Sequence, residues 1–147
     1  MEKFETFTVL IAKIGRSIRR LKTEEMAEFE LKSPHVSCLY YLYLKGPLTA
    51  KELGEISAED KAALSRSVEG LEEMGLIEPE RGDKKRYKTP LKLTARGEEV
   101  AGRIALKADA IVKAAGKDMT EEERNIFYRC LTDICDNLQA LCDGYDE

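Results

Sequence analysis

Seven basic side chains fall between residues 81 and 96 (Arg81, Lys84, Lys85, Arg86, Lys88, Lys92 and Arg96), against the single acid Asp83. The local formal charge is +6 in a chain whose total is −4. Cations at this density along a short stretch suit the neutralisation of a polyanion, above all a nucleic-acid backbone whose counterions they would release. Just upstream, Leu64, Val68 and Leu71 recur at i, i+4 and i+7, the spacing of an apolar helix face. The opposite side of that helix then carries Lys61, Ala62, Ser65, Arg66 and Glu69. Arg66 has the fork that matches a guanine edge or clamps a phosphate. Ser65 and Lys61 suit base edges or phosphates, and Ala62 suits a thymine methyl. Each of these residues also has a plainer reading. A basic hairpin fits a solvated loop, and Arg66 fits a surface pair with Glu69 or Glu73. The clustering of the bases beside a helix is what favours the nucleic-acid reading.

The elements that would position these side chains follow from local signals. The connection Ser57-Ala58-Glu59-Asp60 supplies the cap of this helix, and Gly75 stops it, because a residue without Cβ takes the left-handed C′ conformation cheaply. Two extended runs, Leu76–Arg81 and Arg86–Leu93, flank a tip at Gly82-Asp83, a hairpin signal. Upstream, Thr49-x-x-Glu52 is a capping box that opens a short helix with Leu53 and Ile56 inward. Before that, Ser33-Pro34 predicts a helix from Ser33 as N-cap to about Lys45, ended by Gly46-Pro47, with Val36, Leu39, Tyr40, Tyr43 and Leu44 facing the core. Short helix, tight connection, second helix and basic hairpin together make the outline of a winged helix-turn-helix.

Three further helices flank this centre. Phe4, Phe7, Ile11, Ile14, Ile18 and Leu21 form a heptad seam, followed by a polar link over Lys22–Lys32. After the hairpin, Thr94 caps a helix with Ala101, Ile104, Ala108, Ile111 and Ala115 on one stripe. Thr120-x-x-Glu123 caps the last helix, whose seam is Phe127, Leu131, Ile134, Leu138 and Leu141. Such seams are too narrow to be cores and call for partner helices. The expected architecture is mainly α, a winged helix-turn-helix with flanking N- and C-terminal dimerisation helices. The chain 1–147 would form a DNA-binding lobe over 33–96 and a dimerisation lobe from 1–22 and 97–147. Phe4, Phe7, Ile11, Ile14, Phe127, Leu131, Ile134, Leu138 and Leu141 would make the contacts between subunits. A two-fold homodimer presents two reading helices to the half-sites of a pseudo-palindromic DNA duplex.

Other chemistries find little support. There is one histidine, His35, and the chain has no nucleophile motif, no glycine-rich phosphate loop and no metal-ligand spacing, so neither an enzyme nor a metal or cofactor is expected. Cys38, Cys130, Cys135 and Cys142 include no C-x-x-C pair and read as small apolar side chains in or near a core, with redox sensing reserved for any that are exposed. The chain has no apolar run of ~20 residues and no signal-peptide pattern at its start. A cytoplasmic protein without membrane contact is therefore expected. A ligand pocket would lie near the ends of the first, second and fifth helices, with Arg16, His35 and Tyr43 as its candidate residues. The alternative to a DNA-binding regulator is a winged-helix protein-interaction module, which would have no need for Lys84, Lys85, Arg86 and Lys88 together.

The order and spacing of these motifs resemble the MarR family of bacterial transcription regulators over most of the chain. Gly46-Pro47-Leu48-Thr49-Ala50-Lys51-Glu52-Leu53 resembles the family's entry to its third helix, and the run from Asp60 to Ile77 its recognition helix and turn into the wing. Leu93-Thr94-Ala95-Arg96-Gly97 resembles the closing wing strand and following cap, and Met119-Thr120-Glu121-Glu122-Glu123 the start of the last helix. The resemblance implies a homodimer, a DNA-binding lobe, a helical dimerisation lobe and, as in many members, weakening of operator binding by a small aromatic or anionic effector or by cysteine oxidation. Such a regulator would act as a repressor or an activator, and a repressor is the expectation here. One departure is local. The family's wing often carries Asp-x-Arg-Asp, whereas this chain has Gly82-Asp83-Lys84-Lys85 with Arg86 following, so Lys84 stands where the planar arginine fork would be.

Overall fold

The computed structural model describes residues 2–57, 59–80 and 88–146. In order the elements are α1 (Glu2–Glu25), a 3-10 turn (Ala27–Phe29), α2 (Ser33–Lys45), α3 (Ala50–Ser57), α4 (Lys61–Glu73), β1 (Ile77–Pro79), β2 (Leu91–Leu93), α5 (Ala95–Ala115) and α6 (Glu121–Asp143). Two compact units divide the chain, Met1–Ala108 and Asp109–Glu147.

The first unit holds the buried core. Its centre is α2, which packs on α4, α3, α1 and β2 and is accordingly buried on a wide face. Val36, Cys38, Leu39 and Leu42 are buried there. The expected core residues Tyr43 and Leu44 are instead 46% and 55% exposed, with Leu42 and Cys38 taking the inward places. Runs such as Leu-Tyr-Tyr-Leu-Tyr-Leu satisfy more than one helical phase, so the phase is settled by packing. The cap of α2 also shifts by one residue. Lys32 is the N-cap, its backbone N–H donating to His35 Nδ1 at 3.2 Å, and Ser33 opens the helix.

The stretch expected as a polar link is the largest correction. Helix α1 continues to Glu25, and Met26 and Leu31 enter the core with 1% and 4% exposure. Phe29 packs against the same cluster. The charged residues between them hide an apolar set whose spacing matches neither a long helix nor a strand.

Strands β1 and β2 are antiparallel, with Ile77 opposite Leu93, Glu78 opposite Lys92 and Pro79 opposite Leu91. Leu48 adds a third partner, exchanging both backbone hydrogen bonds with Leu91 at 3.2 and 2.8 Å. This bridge closes the edge of the small sheet and was not visible in the sequence.

In the second unit, Thr120 caps α6 as expected. Its hydroxyl accepts from Glu123 N–H at 3.1 Å, and the Glu123 carboxylate accepts from Thr120 N–H at 3.0 Å. These bonds hold the Glu123 carboxyl below its ordinary pKa. No residue of α6 is fully buried. Among the described residues no helix is long and apolar enough to cross a membrane.

Candidate nucleic-acid interface

The site is built from α3, the connection to α4, α4 itself and the strands that follow. Helix α3 opens with the expected capping box: Glu52 N–H donates to Thr49 Oγ1 at 3.1 Å, and Thr49 N–H donates back to the Glu52 carboxylate at 3.2 Å. Leu53 is fully buried and Ile56 packs against the core. Gly54 sits close under Leu64, where a Cβ would lie 3.1 Å from a leucine methyl, so the residue that weakens α3 by propensity lets α4 approach it.

Asp60 caps α4 by accepting from Ala63 N–H at 2.7 Å. A carboxylate at a helix N-terminus also meets the positive end of the macrodipole. Leu64, Val68 and Leu71 are buried, while Lys61, Ala62, Ser65, Arg66 and Glu69 are exposed, so the two faces divide as the spacing predicts. Ser67 is buried too and is satisfied locally, its hydroxyl donating to the Ala63 carbonyl at 2.9 Å. Among the described residues Arg66 is held by no ion pair.

The C-terminus of α4 is a full Schellman turn. Gly75 N–H donates to the Glu72 carbonyl and Leu76 N–H to the Leu71 carbonyl, both at 3.0 Å, with Gly75 at a φ of 73°. Leu71 and Leu76, the residues that flank such a turn, are both buried in the core. The end of α4 is then tied to the start of α5. The Thr94 hydroxyl donates to the Gly75 carbonyl at 2.7 Å and accepts from Gly97 N–H at 3.0 Å. Arg96 donates to the Met74 carbonyl at 3.4 Å. Thr94 was expected only as a helix cap; its second role, across 19 residues to Gly75, has no signal in the sequence.

Of the wing bases, Lys88 is exposed, and Lys92 pairs with Glu78 across the strands at 3.7 Å. The candidates Arg81, Lys84, Lys85 and Arg86 lie outside the described residues.

The three pocket candidates occupy different surroundings. Arg16 is exposed on α1. The His35 ring lies over Gly70 of α4, its Nε2 3.0 Å from where a Cβ would stand. Burial, and secondarily the charge of Lys32, lower the His35 pKa. The Tyr43 hydroxyl lies over Gly102 of α5, at 3.6 Å from the equivalent point. His35 and Tyr43 are eight residues apart on α2, about 12 Å along its axis.

One polar contact near the site was missed. Lys22 on α1 donates to the buried Ser37 hydroxyl at 3.0 Å. Its partial burial lowers its pKa, opposed by the charge of Glu59 in the α3–α4 connection. The cysteines also depart from expectation: Cys38 is buried, but Cys130, Cys135 and Cys142 are exposed on α6. They flank a seam of which Phe127, Leu138 and Leu141 are exposed in the single chain, while Leu131 and Ile134 are half-buried.

Comparison with known proteins follows the same lines. The sequence pattern of the MarR family matches residues 29–86. The chain is similar to an uncharacterized HTH-type transcriptional regulator, YwoH, of Bacillus subtilis (strain 168), at 28% identity over 113 residues, 77% of this chain and 82% of that protein. Its fold is similar to that of NMB1585, a MarR family regulator from Neisseria meningitidis, with a TM-score of 0.82 and 20% identity over 98% of this chain and 99% of that one. It is likewise similar to MepR of S. aureus in a complex with DNA, with a TM-score of 0.77 and 19% identity over 90% and 96% of the two chains.

Proposed function

We propose that this chain, which matches the MarR family of transcription regulators over residues 29–86, is a dimeric, sequence-specific DNA-binding repressor. It is a regulator and not an enzyme. The observation that carries the DNA-binding reading is the division of α4. Three buried leucine and valine side chains seat it in the core, and the exposed side carries Lys61, Ala62, Ser65 and Arg66. Its N-terminal half would enter the major groove, where Arg66 reads a guanine and the others meet base edges, methyls or phosphates. The bases at 81, 84, 85, 86 and 88 would follow the adjoining backbone or minor groove. The likeness in fold to a protein solved in complex with DNA supports this placement.

The dimer is supported by apolar side chains left on the surface. On α1, Phe4 is 71% exposed, and Ile11 and Ile14 are exposed beside it; on α6, Leu141 is 67% exposed, with Phe127 and Leu138 exposed on the same seam. Rows of this kind mark interaction surfaces. The lobes are a DNA-reading part over 33–96 and dimerisation helices over 1–22 and 97–147. The regulator would act on duplex DNA in the cytoplasm. A small aromatic or anionic effector held by Arg16, His35 or Tyr43, or oxidation at Cys130, Cys135 or Cys142, would release the operator.

The test is selection of genomic fragments by the purified protein at about 0.15 M salt, followed by footprinting. A pseudo-palindromic site protected on two successive major grooves is expected. Recovery of no enriched fragment would favour the protein-interaction module.

A further inference from the structure

A cluster of charges joins the end of α1 to α5, and none of the roles above uses it. Glu28, in the 3-10 turn, accepts from Arg103 Nη2 at 3.0 Å through Oε2, and its Oε1 lies 3.2 Å from Lys107 Nζ. Arg103 and Lys107 stand one turn apart on α5, so a single carboxylate spans both. Lys107 also donates to the backbone carbonyl of Glu25 at 3.0 Å and lies 3.7 Å from the Glu25 carboxylate. Glu25 ends α1, where exposed carbonyls favour a cation. The Arg103 guanidinium sits 4.7 Å over the Phe29 ring. The hydrogen bond from Lys107, together with the charge of both bases, holds the Glu28 carboxyl below its ordinary pKa.

These side chains are a third to a half exposed, and ion pairs of that kind add little to the stability of a fold. What they can fix is direction. The backbone turns out of the helical path at Met26 and takes the left-handed conformation at Glu30, with a φ of 58°. The cluster spans the first of these turns, tying Glu25 at the end of α1 and Glu28 just beyond it to Arg103 and Lys107 of α5. The start of α5 is in turn bound to the end of α4 through Thr94.

We propose that Glu28 is a positioning residue that sets the separation of the two recognition helices, and so the half-site spacing the protein reads. This rests on the dimeric DNA-binding reading above. Helix α1 carries the proposed subunit seam and α5 leads into the reading head. The Glu28 clamp therefore converts a seam-to-head angle into a distance between heads, without touching DNA.

The test uses the full-length protein and the duplex recovered by selection, with zero, one or two base pairs inserted between the half-sites. Wild type is expected to bind the native spacing at least tenfold more tightly than the one-pair insertion. For Glu28→Gln and, separately, Arg103→Gln that ratio falls below threefold, while the dimer and the thermal midpoint persist. A wild-type chain that is monomeric, or indifferent to spacing, overturns the dimer reading and this proposal together. A dimeric wild type with a sharp optimum that both variants retain overturns the proposal alone. A uniform loss of affinity at every spacing does so too, since that is what a merely structural role would give.

Discussion

The carbonyl oxygen of Leu76 fills the place where a β-carbon on Gly97 would have to stand. The same oxygen accepts the Thr94 N–H at 3.0 Å, so it cannot move aside without breaking the tie between β1 and the start of α5. Gly97→Ala is therefore expected to cost about 3 kcal/mol, the upper part of the range for forced overpacking. Gly75→Ala faces open space and should cost only the left-handed backbone strain, about 1–2 kcal/mol. Urea unfolding of both variants checks the order; equal losses would show that the strand–helix approach relaxes freely.

Arg66→Ala should weaken binding to the selected operator by about 1–3 kcal/mol if the side chain reads a base. Binding to random duplex should then change little. Equal losses on both DNAs in the same titration would reassign Arg66 to a phosphate.

The double change Lys84→Ala, Lys85→Ala should lower the slope of log affinity against log salt by up to ~2. The measurement is a salt series on one operator. A slope identical to wild type would take the wing lysines out of the interface.

Ile11→Asp with Ile14→Asp should give a monomer in sedimentation at micromolar concentration. Both side chains are exposed in the single chain, so its helix content by circular dichroism should survive. Operator affinity should fall with the loss of the second reading head. A variant that still sediments as a dimer would mean that the α1 seam is not the subunit contact.

Burial pushes the Cys38 thiol up to about 12 from an ordinary 9.0. Alkylation at pH 8 followed by mass spectrometry should leave Cys38 untouched in the native protein, and label it once the chain is unfolded. The linked stability has a definite sign. It is fully present below pH 9 and is lost as pH rises toward 12, because the unfolded chain releases the proton first. His35 works from the other side: its folded pKa is lowered, so its contribution is present above 6.5 and is lost as pH falls through the folded value. Cys38→Ala should flatten the alkaline limb relative to wild type; an unchanged limb would mean that the thiol opens to solvent.

Signals that depend on neighbours in the chain were legible. The Thr49–Glu52 box, a cap from the connection 57–60 (it is Asp60), the Gly75 stop and the inward Leu64, Val68 and Leu71 all follow from rules of spacing, and each is present. What could not be read depends on distant partners. Leu48 becomes a strand residue only because Leu91 offers both backbone groups. Met26 and Leu31 are core residues because α1 ends where the body of the unit begins, a fact their charged neighbours conceal. Tyr43 and Leu44 fit the helical period but lost their places to Cys38 and Leu42, since α2 is enclosed on several sides and its phase answers to all of them. For the interface, residue types on α4 were enough to assign the exposed face. The expectation that all four cysteines lie in or near a core failed because α6 has no core of its own in the chain.

The staple at Thr94 has a mechanical consequence. It grips the carbonyl of Gly75 on one side and the amide of Gly97 on the other, so the corner between α4 and α5 acts as a rigid elbow. Arg66 sits eight residues before Met74, the residue that caps the C-terminus of α4, a lever of about 12 Å. A tilt of roughly 10° at the start of α5 would then carry Arg66 about 2 Å by that lever arm, while a hydrogen bond tolerates only about half an ångström. Small rotations of the supporting helix would thereby be geared up into displacements of Arg66 that are large on the scale of a hydrogen bond, with a single threonine hydroxyl as the pin of that gear.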